Sequence, residues 1–196
     1  MNNTLMTDFY ELTMAQTYFE SGKKDEIAYF DVFFRKVPES GGYVIAAGLE
    51  SIISYIKGMH FSAEDIDYLR SKGIFDEGFL EYLADFKFTG DLDAVKEGTP
   101  VYPNTPVITV CAPLCEAQLI ETMLLLSFNH QSLIATKTNR IVRAAGDRTV
   151  MEFGARRAHG YDAAILGARA AAIGGAKLTA TAIADELFGF PAVGTM

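Results

Sequence analysis

The last 49 residues, 148–196, alternate β-rich and helical stretches, and this alternation constrains the fold more than any other feature of the chain. A β-rich run at 149–153 is followed by a helical pattern at 162–173 that Gly174 and Gly175 stop. A short run at 176–179, a helical stretch at 182–187 ended by Gly189, and an apolar run at 191–194 complete it. Strand–helix–strand alternation predicts parallel strands joined by crossover helices, so the class expected is α/β. A closed (β/α)₈ barrel needs about 250 residues. The segment is therefore expected to supply the first strands of a barrel, incomplete within residues 146–196.

The preceding residues, 1–145, read as an N-terminal α/β domain of the α+β kind. A helix is expected at 8–21, with Asp8 as N-cap, Glu11 three residues on and Gly22 as its stop. The aromatic and β-branched run at 27–37 predicts a strand closed by Pro38 and the Gly41-Gly42 turn, and 43–47 a second strand. Helices are expected at 48–58, 62–72 and 76–86. Residues 87–110 alternate apolar side chains with turn formers and predict a small β-layer near 88–110. A long helical stretch from 113 to 145 is expected to bend or break near Asn129.

Composition removes several function classes. Hydrophobic residues make up 49% of the 196 and charged residues 21%, which excludes a disordered chain. The best apolar stretch, 119–133, contains Glu121, Asn129 and His130 and is too short to span a bilayer, so no membrane role is expected. The first residues lack the basic and apolar regions of a signal peptide. Cys111 and Cys115 fit neither a zinc site nor a CxxC pair, and a cytoplasmic location follows as the expectation.

Charge is unevenly placed. Residues 1–100 carry 9 basic and 18 acidic side chains, and residues 101–196 carry 8 and 7. Lys137, Arg140, Arg143, Arg148, Arg156 and Arg157 cluster within 137–157. Such a cluster in an acidic chain suits a compact anion such as phosphate better than nucleic acid. Spacing alone, with Lys137, Arg140 and Arg143 at i, i+3 and i+6, favours a solvated helix face.

The loop after the first barrel-like strand, EFGARRAHG at 152–160, holds the chemistry-bearing candidates. Strand C-termini build the active sites of α/β barrels. Gly154 permits close backbone approach, Arg156 and Arg157 offer planar forks for phosphate, and Phe153 offers a ring face to a flat substrate. A packed Phe and two solvated arginines explain the same pattern. His159 is read as structural rather than as a general base, and so are His60 and His130, which lack metal-ligand spacing. Thr195 occupies another strand C-terminus. For Tyr10, packing beside an Asp N-cap suffices.

Six segments together carry a family resemblance: TDFYELTM (7–14), FFRKVPESGGYVIAAGLE (33–50), GTPVYPNTPVITV (98–110), EAQLIETMLLLSFNHQSLIATK (116–137), EFGARRAHG (152–160) and FGFPAVGTM (188–196). In this order they resemble the nicotinate phosphoribosyltransferases, over about two-fifths of a family member's length by the barrel arithmetic. The resemblance implies a type II phosphoribosyltransferase, with an N-terminal α/β domain packed on an irregular α/β barrel. It implies that nicotinate and 5-phosphoribosyl 1-diphosphate give nicotinate mononucleotide and diphosphate in NAD biosynthesis. The family's reaction is driven by ATP hydrolysis with Mg2+ through a phosphohistidine, and its members are dimers with shared active sites. It implies that Tyr10, from a neighbouring subunit, and Phe153 flank the pyridine ring. Arg156 and Arg157 would face the donor phosphates, and Thr195 would line the nicotinate site. The phosphorylated histidine of the family's GTxAH motif falls two residues beyond Met196, so no catalytic residue is expected within the chain and the chain alone is expected to be inactive. Two alternatives stand beside this reading: a relative that uses nicotinamide or quinolinate, and a non-catalytic dimerisation module.

Overall fold

The aromatic and β-branched run that begins at residue 27 forms β1 (Ile27–Val32) and leaves the sheet at Phe33, five residues short of Pro38. In this computed structural model, which describes residues 3–195, β1 is an edge of a three-stranded antiparallel sheet ordered β1–β5–β3. Its partner β5 (Ile108–Pro113) runs opposite, with Tyr29 across from Cys111, and β3 (Asp91–Ala94) lies on the far side of β5. Burial along β5 alternates strictly, Ile108, Val110 and Ala112 inward, as a half-buried strand requires.

This sheet belongs to the first of two units, built from residues up to 32, 50–94 and 108–126. Its helices are α1 (Phe9–Glu20), α3 (Ala63–Ser71), α4 (Glu77–Ala84), α5 (Leu114–Leu119), most of α2 (Leu49–Gly58) and the start of α6 (Glu121–Ala145). Phe79, Leu80, Leu83, Leu69 and Ile52 are fully buried at its centre. Ser62 begins α3 with a reciprocal capping box to Asp65, whereas Asp8 precedes α1 in an extended conformation and makes no side-chain cap bond. Glu11 does not complete a box with it; its carboxylate turns inward to Thr7 and Thr122.

The long helical stretch breaks at Ile120, not near Asn129. Asn129 is exposed on α6, so water satisfies its amide and nothing competes with the helix backbone. Ile120, fully buried, is the single turn residue between α5 and α6.

The second unit comprises 33–49, 95–107 and 127–196. The predicted β-layer is shared out: β3 and β5 lie in the first unit, while β4 (Pro100–Val101) pairs with β2 (Val44–Ile45) in the second. Beyond α6 the expected alternation is present: β6 (Met151–Glu152), α7 (Tyr161–Ile173), β7 (Leu178–Thr179) and α8 (Ala182–Phe188). β6 and β7 are parallel, and Thr179 makes a further parallel bridge to Ala192. The class is α/β, and the three parallel segments lie in chain order.

Glu97 ties this unit together. Its Oε1 accepts from the backbone N–H of Gly48 at 2.6 Å and of Leu49 at 3.1 Å, and Arg169 Nη2 meets its Oε2 at 2.7 Å. Burial pushes the Glu97 carboxyl upward, but Arg169 and the two backbone donors outweigh it and hold it below the ordinary carboxylate range. The unfolded chain therefore binds a proton more readily than the folded one. Stability from Glu97 is full above about pH 5 and is lost as pH falls through its lowered folded value. Glu97→Gln is expected to cost about 3 kcal/mol at pH 7, because Arg169 is left half-paired in the interior. Urea unfolding from pH 7 to pH 3 checks this: the variant's stability falls less steeply with acid than the wild type's.

Candidate active site

The strand C-termini of the second unit form one rim. β6 leads into Phe153 and Gly154 and then a 3₁₀ turn at Ala155–Arg157. β7 leads into Ala180 and Thr181, and the third parallel segment leads from Ala192 to Gly194 and Thr195. Parallel neighbours are about 4.8 Å apart, so the loops after the first and third segments flank the end of β7. The structure thus brings Phe153, Arg156, Arg157 and Thr195 to one edge of one unit. All four are exposed.

Two polar residues that spacing did not single out hold this rim. Thr179 is fully buried at the end of β7, and its hydroxyl donates to Glu152 Oε2 at 2.6 Å. The same hydroxyl oxygen accepts from the Thr181 N–H at 3.0 Å. The other Glu152 oxygen accepts from the Gly154 N–H. One carboxylate therefore fixes the turn that carries Phe153 and the arginines and joins it to the adjacent strand end. The available signal was position: Glu152 and Thr179 are each the last residue of a strand.

Of the six basic residues, two are paired. Lys137 and Arg140 on α6 pair with Glu39 at 2.9 and 3.3 Å, and they hold its carboxyl below its ordinary range. The Arg157 backbone N–H donates to the Gly154 carbonyl at 2.8 Å, but among the described residues neither the Arg156 nor the Arg157 guanidinium has a hydrogen-bond or ion-pair partner. Arg143 and Arg148 are likewise exposed and without an ion pair among the described residues; Arg156 and Arg157 differ in lying on the turn that follows Phe153 at the end of β6. His159 is exposed, and His130 Nε2 lies 3.3 Å from the Ala163 carbonyl. The Cys115 thiol, pushed up to about 11 mainly by burial, donates to the Ala15 carbonyl at 3.2 Å. No helix among the described residues is long and apolar enough to cross a membrane.

Tyr10 lies in the first unit, near the start of α1, with 45% of its surface exposed. Its hydroxyl donates to Glu121 Oε1 at 2.9 Å. Partial burial, and then the bond and charge of Glu121, push that hydroxyl up to about 12. Behind it Glu11 is fully buried, and Thr122 Oγ1 donates to its carboxylate at 2.6 Å. Burial raises the Glu11 carboxyl above its ordinary value, against the opposing effect of the Thr122 and Thr7 hydroxyls.

Comparison with known proteins points in one direction. The model of the nicotinate phosphoribosyltransferase N-terminal domain matches residues 5–129. The chain is 44% identical over 192 residues to a nicotinate phosphoribosyltransferase of Mycobacterium tuberculosis, covering 98% of this chain and 41% of the relative. It is 47% identical to that of Bacillus subtilis, covering 98% and 39%. The crystal structure of human nicotinic acid phosphoribosyltransferase superimposes with a TM-score of 0.90 at 32% identity, covering 97% of this chain and 39% of that one. The chain thus spans about two-fifths of the length of the curated relatives it matches.

Thr179→Val keeps the shape of the side chain and removes the hydroxyl that joins Glu152 to Thr181. A loss of about 2 kcal/mol is expected, since a half-buried carboxylate oxygen and a backbone N–H both lose their partner. Chemical denaturation measures it.

Proposed function

The chain belongs to the nicotinate phosphoribosyltransferase family, and we propose that the whole protein forms nicotinate mononucleotide and diphosphate from nicotinate and 5-phosphoribosyl 1-diphosphate. The observation that carries the proposal is the rim: an exposed aromatic face and two unpaired guanidiniums, held by Glu152 at the ends of parallel strands. In the reaction the pyridine nitrogen bonds to ribose C1 as the bond from C1 to the diphosphate oxygen breaks.

Each residue has a physical part. Phe153 lays its ring against the electron-poor pyridine and aims the nitrogen, which removes orientational freedom before attack. Arg156 and Arg157 bind donor phosphate oxygens through planar N–H forks and offset charge on the departing diphosphate. The Thr195 hydroxyl hydrogen-bonds nicotinate. Tyr10 covers the second pyridine face, supplied by the neighbouring subunit of a homodimer. We place the protein in the cytoplasm, in NAD biosynthesis.

ATP hydrolysis and Mg2+ complete the proposal. ATP supplies the free energy of phosphoryl transfer when bound. Mg2+ is commonly held by substrate phosphates and one or two carboxylates. The described residues gather no group of three His, Cys, Asp or Glu side chains that could hold it unaided. The Glu152 carboxylate is already committed to Thr179 and Gly154, so no step is routed through the metal.

The test is mononucleotide formation from labelled nicotinate by the full-length protein, with and without ATP. Phe153→Ala is expected to raise the KM for nicotinate about tenfold. Arg156→Ala raises the KM for the phosphoribosyl donor by roughly tenfold or more, and His159→Ala changes neither beyond about twofold. Residues 1–196 alone are expected to show no turnover. Unchanged kinetics for both Phe153→Ala and Arg156→Ala would overturn the assignment of the rim.

A further inference from the structure

The Tyr10 ring is fixed at both ends by one short stretch of chain, residues 118–122. Its hydroxyl donates to Glu121 Oε1 at 2.9 Å, and Glu121 Oε2 accepts from Gln118 Nε2 at 2.8 Å. Gln118 is buried, so its amide is an anchor that solvent does not move. At the other end, the backbone N–H of Asp8 donates to Thr122 Oγ1 at 3.0 Å, and that hydroxyl donates to the buried Glu11 carboxylate at 2.6 Å. The backbone that carries the ring and the tip of the ring are thus held by adjacent residues at the start of α6. A carboxylate there is further favoured by the helix dipole.

The ring between these two anchors is left open. Phe9, its neighbour, packs against Phe75 with centroids 5.8 Å apart. Among the described residues the Tyr10 ring has no aromatic partner, and it is 45% exposed. A phenol this exposed would ordinarily populate several rotamers. Here the bond to Glu121 selects one of them.

We propose that Glu121 is a positioning residue for the Tyr10 ring, presenting its face in a fixed orientation to the pyridine substrate. The proposal rests on the reading of Tyr10 given above. Glu121 acts in two ways. It removes the rotational entropy that the ring would otherwise lose on stacking. As a charged acceptor it also polarises the phenol O–H, which enriches the ring that meets an electron-poor pyridine.

The test is a double-mutant cycle on nicotinate binding by the full-length protein, read by calorimetry, with circular dichroism confirming the fold of each variant. Tyr10→Ala establishes that the ring matters. If it binds like the wild type, the reading of Tyr10 falls and the Glu121 proposal falls with it. Given a loss for Tyr10→Ala, Glu121→Ala is expected to weaken binding about fivefold. Glu121→Gln, which keeps a carbonyl acceptor for the hydroxyl while the Gln118 amide turns over to match, recovers most of that loss. In a Tyr10→Phe background, which has no hydroxyl, Glu121→Ala adds nothing further. Wild-type affinity in Glu121→Ala beside a weakened Tyr10→Ala overturns the proposal and leaves Tyr10 standing. A Glu121→Ala loss that persists undiminished in the Tyr10→Phe background also overturns it, because Glu121 would then act by another route.

Discussion

The second unit depends on hydrogen bonds that a helix makes to a strand. Ser132 and Thr136, one turn apart on α6 and both buried, take the place of a neighbouring strand for β2 and the residues after it. The Ser132 hydroxyl accepts from the Ala47 N–H and donates to the Ala47 carbonyl, both at 3.0 Å, and Thr136 Oγ1 accepts from the Ile45 N–H at 2.8 Å. A net bond of this kind contributes about 1 kcal/mol, while a buried N–H left without a partner costs about 1–3 kcal/mol. Most of their weight is therefore in what they prevent. They also require close approach, and the glycines supply it. A Cβ on Gly48, whose φ is +109°, would stand 2.5 Å from the Ser127 carbonyl oxygen, and one on Gly174 would stand 2.5 Å from that of Ala135.

From this contact the rim follows in sequence. Gly174 ends α7 against α6, and that contact sets where the chain turns back into β7. The parallel pairing of β7 with β6 then carries Thr179 beside Glu152, and Glu152 pins the Gly154 turn. The exposed Phe153 ring and the two arginines are the last members of a chain of buried and half-buried hydrogen-bonded groups. That order is physically sensible: groups that must meet a ligand are loose in themselves and are held by groups that are not.

Much of this was legible in the sequence, for reasons that can be stated. Local signals acted locally: Gly22, Gly174 and Gly189 end their helices as turn-forming residues do. The βαβ alternation after residue 148 reappears as parallel pairs, although the paired stretches are two residues long or a single bridge. What could not be read were choices made by distant partners. Asp8 and Glu11 look like a capping pair, yet Glu11 goes to Thr122, which lies 111 residues away. The basic run at 137–157 looks continuous, yet Glu39 neutralises Lys137 and Arg140 and leaves Arg143, Arg148, Arg156 and Arg157 without an ion pair among the described residues. Thr179 carries no periodic or motif signal and Glu152 stands in the EFGARRAHG segment without a role of its own, because what they do exists only once two strands lie side by side. Phe153 and Thr195 were candidates by their place at strand C-termini and family likeness gave them specific roles, whereas Tyr10 was a candidate by likeness alone; all three are exposed.

The most direct test of the account is a crystal structure of the full-length protein with nicotinate bound. The account predicts the pyridine ring parallel to Phe153, at about 3.5–4 Å from its face. It also predicts Arg156 and Arg157 turned to the side on which the donor phosphates bind. A pyridine ring seated away from the ends of β6 and β7, with Phe153 still open to solvent, would contradict it.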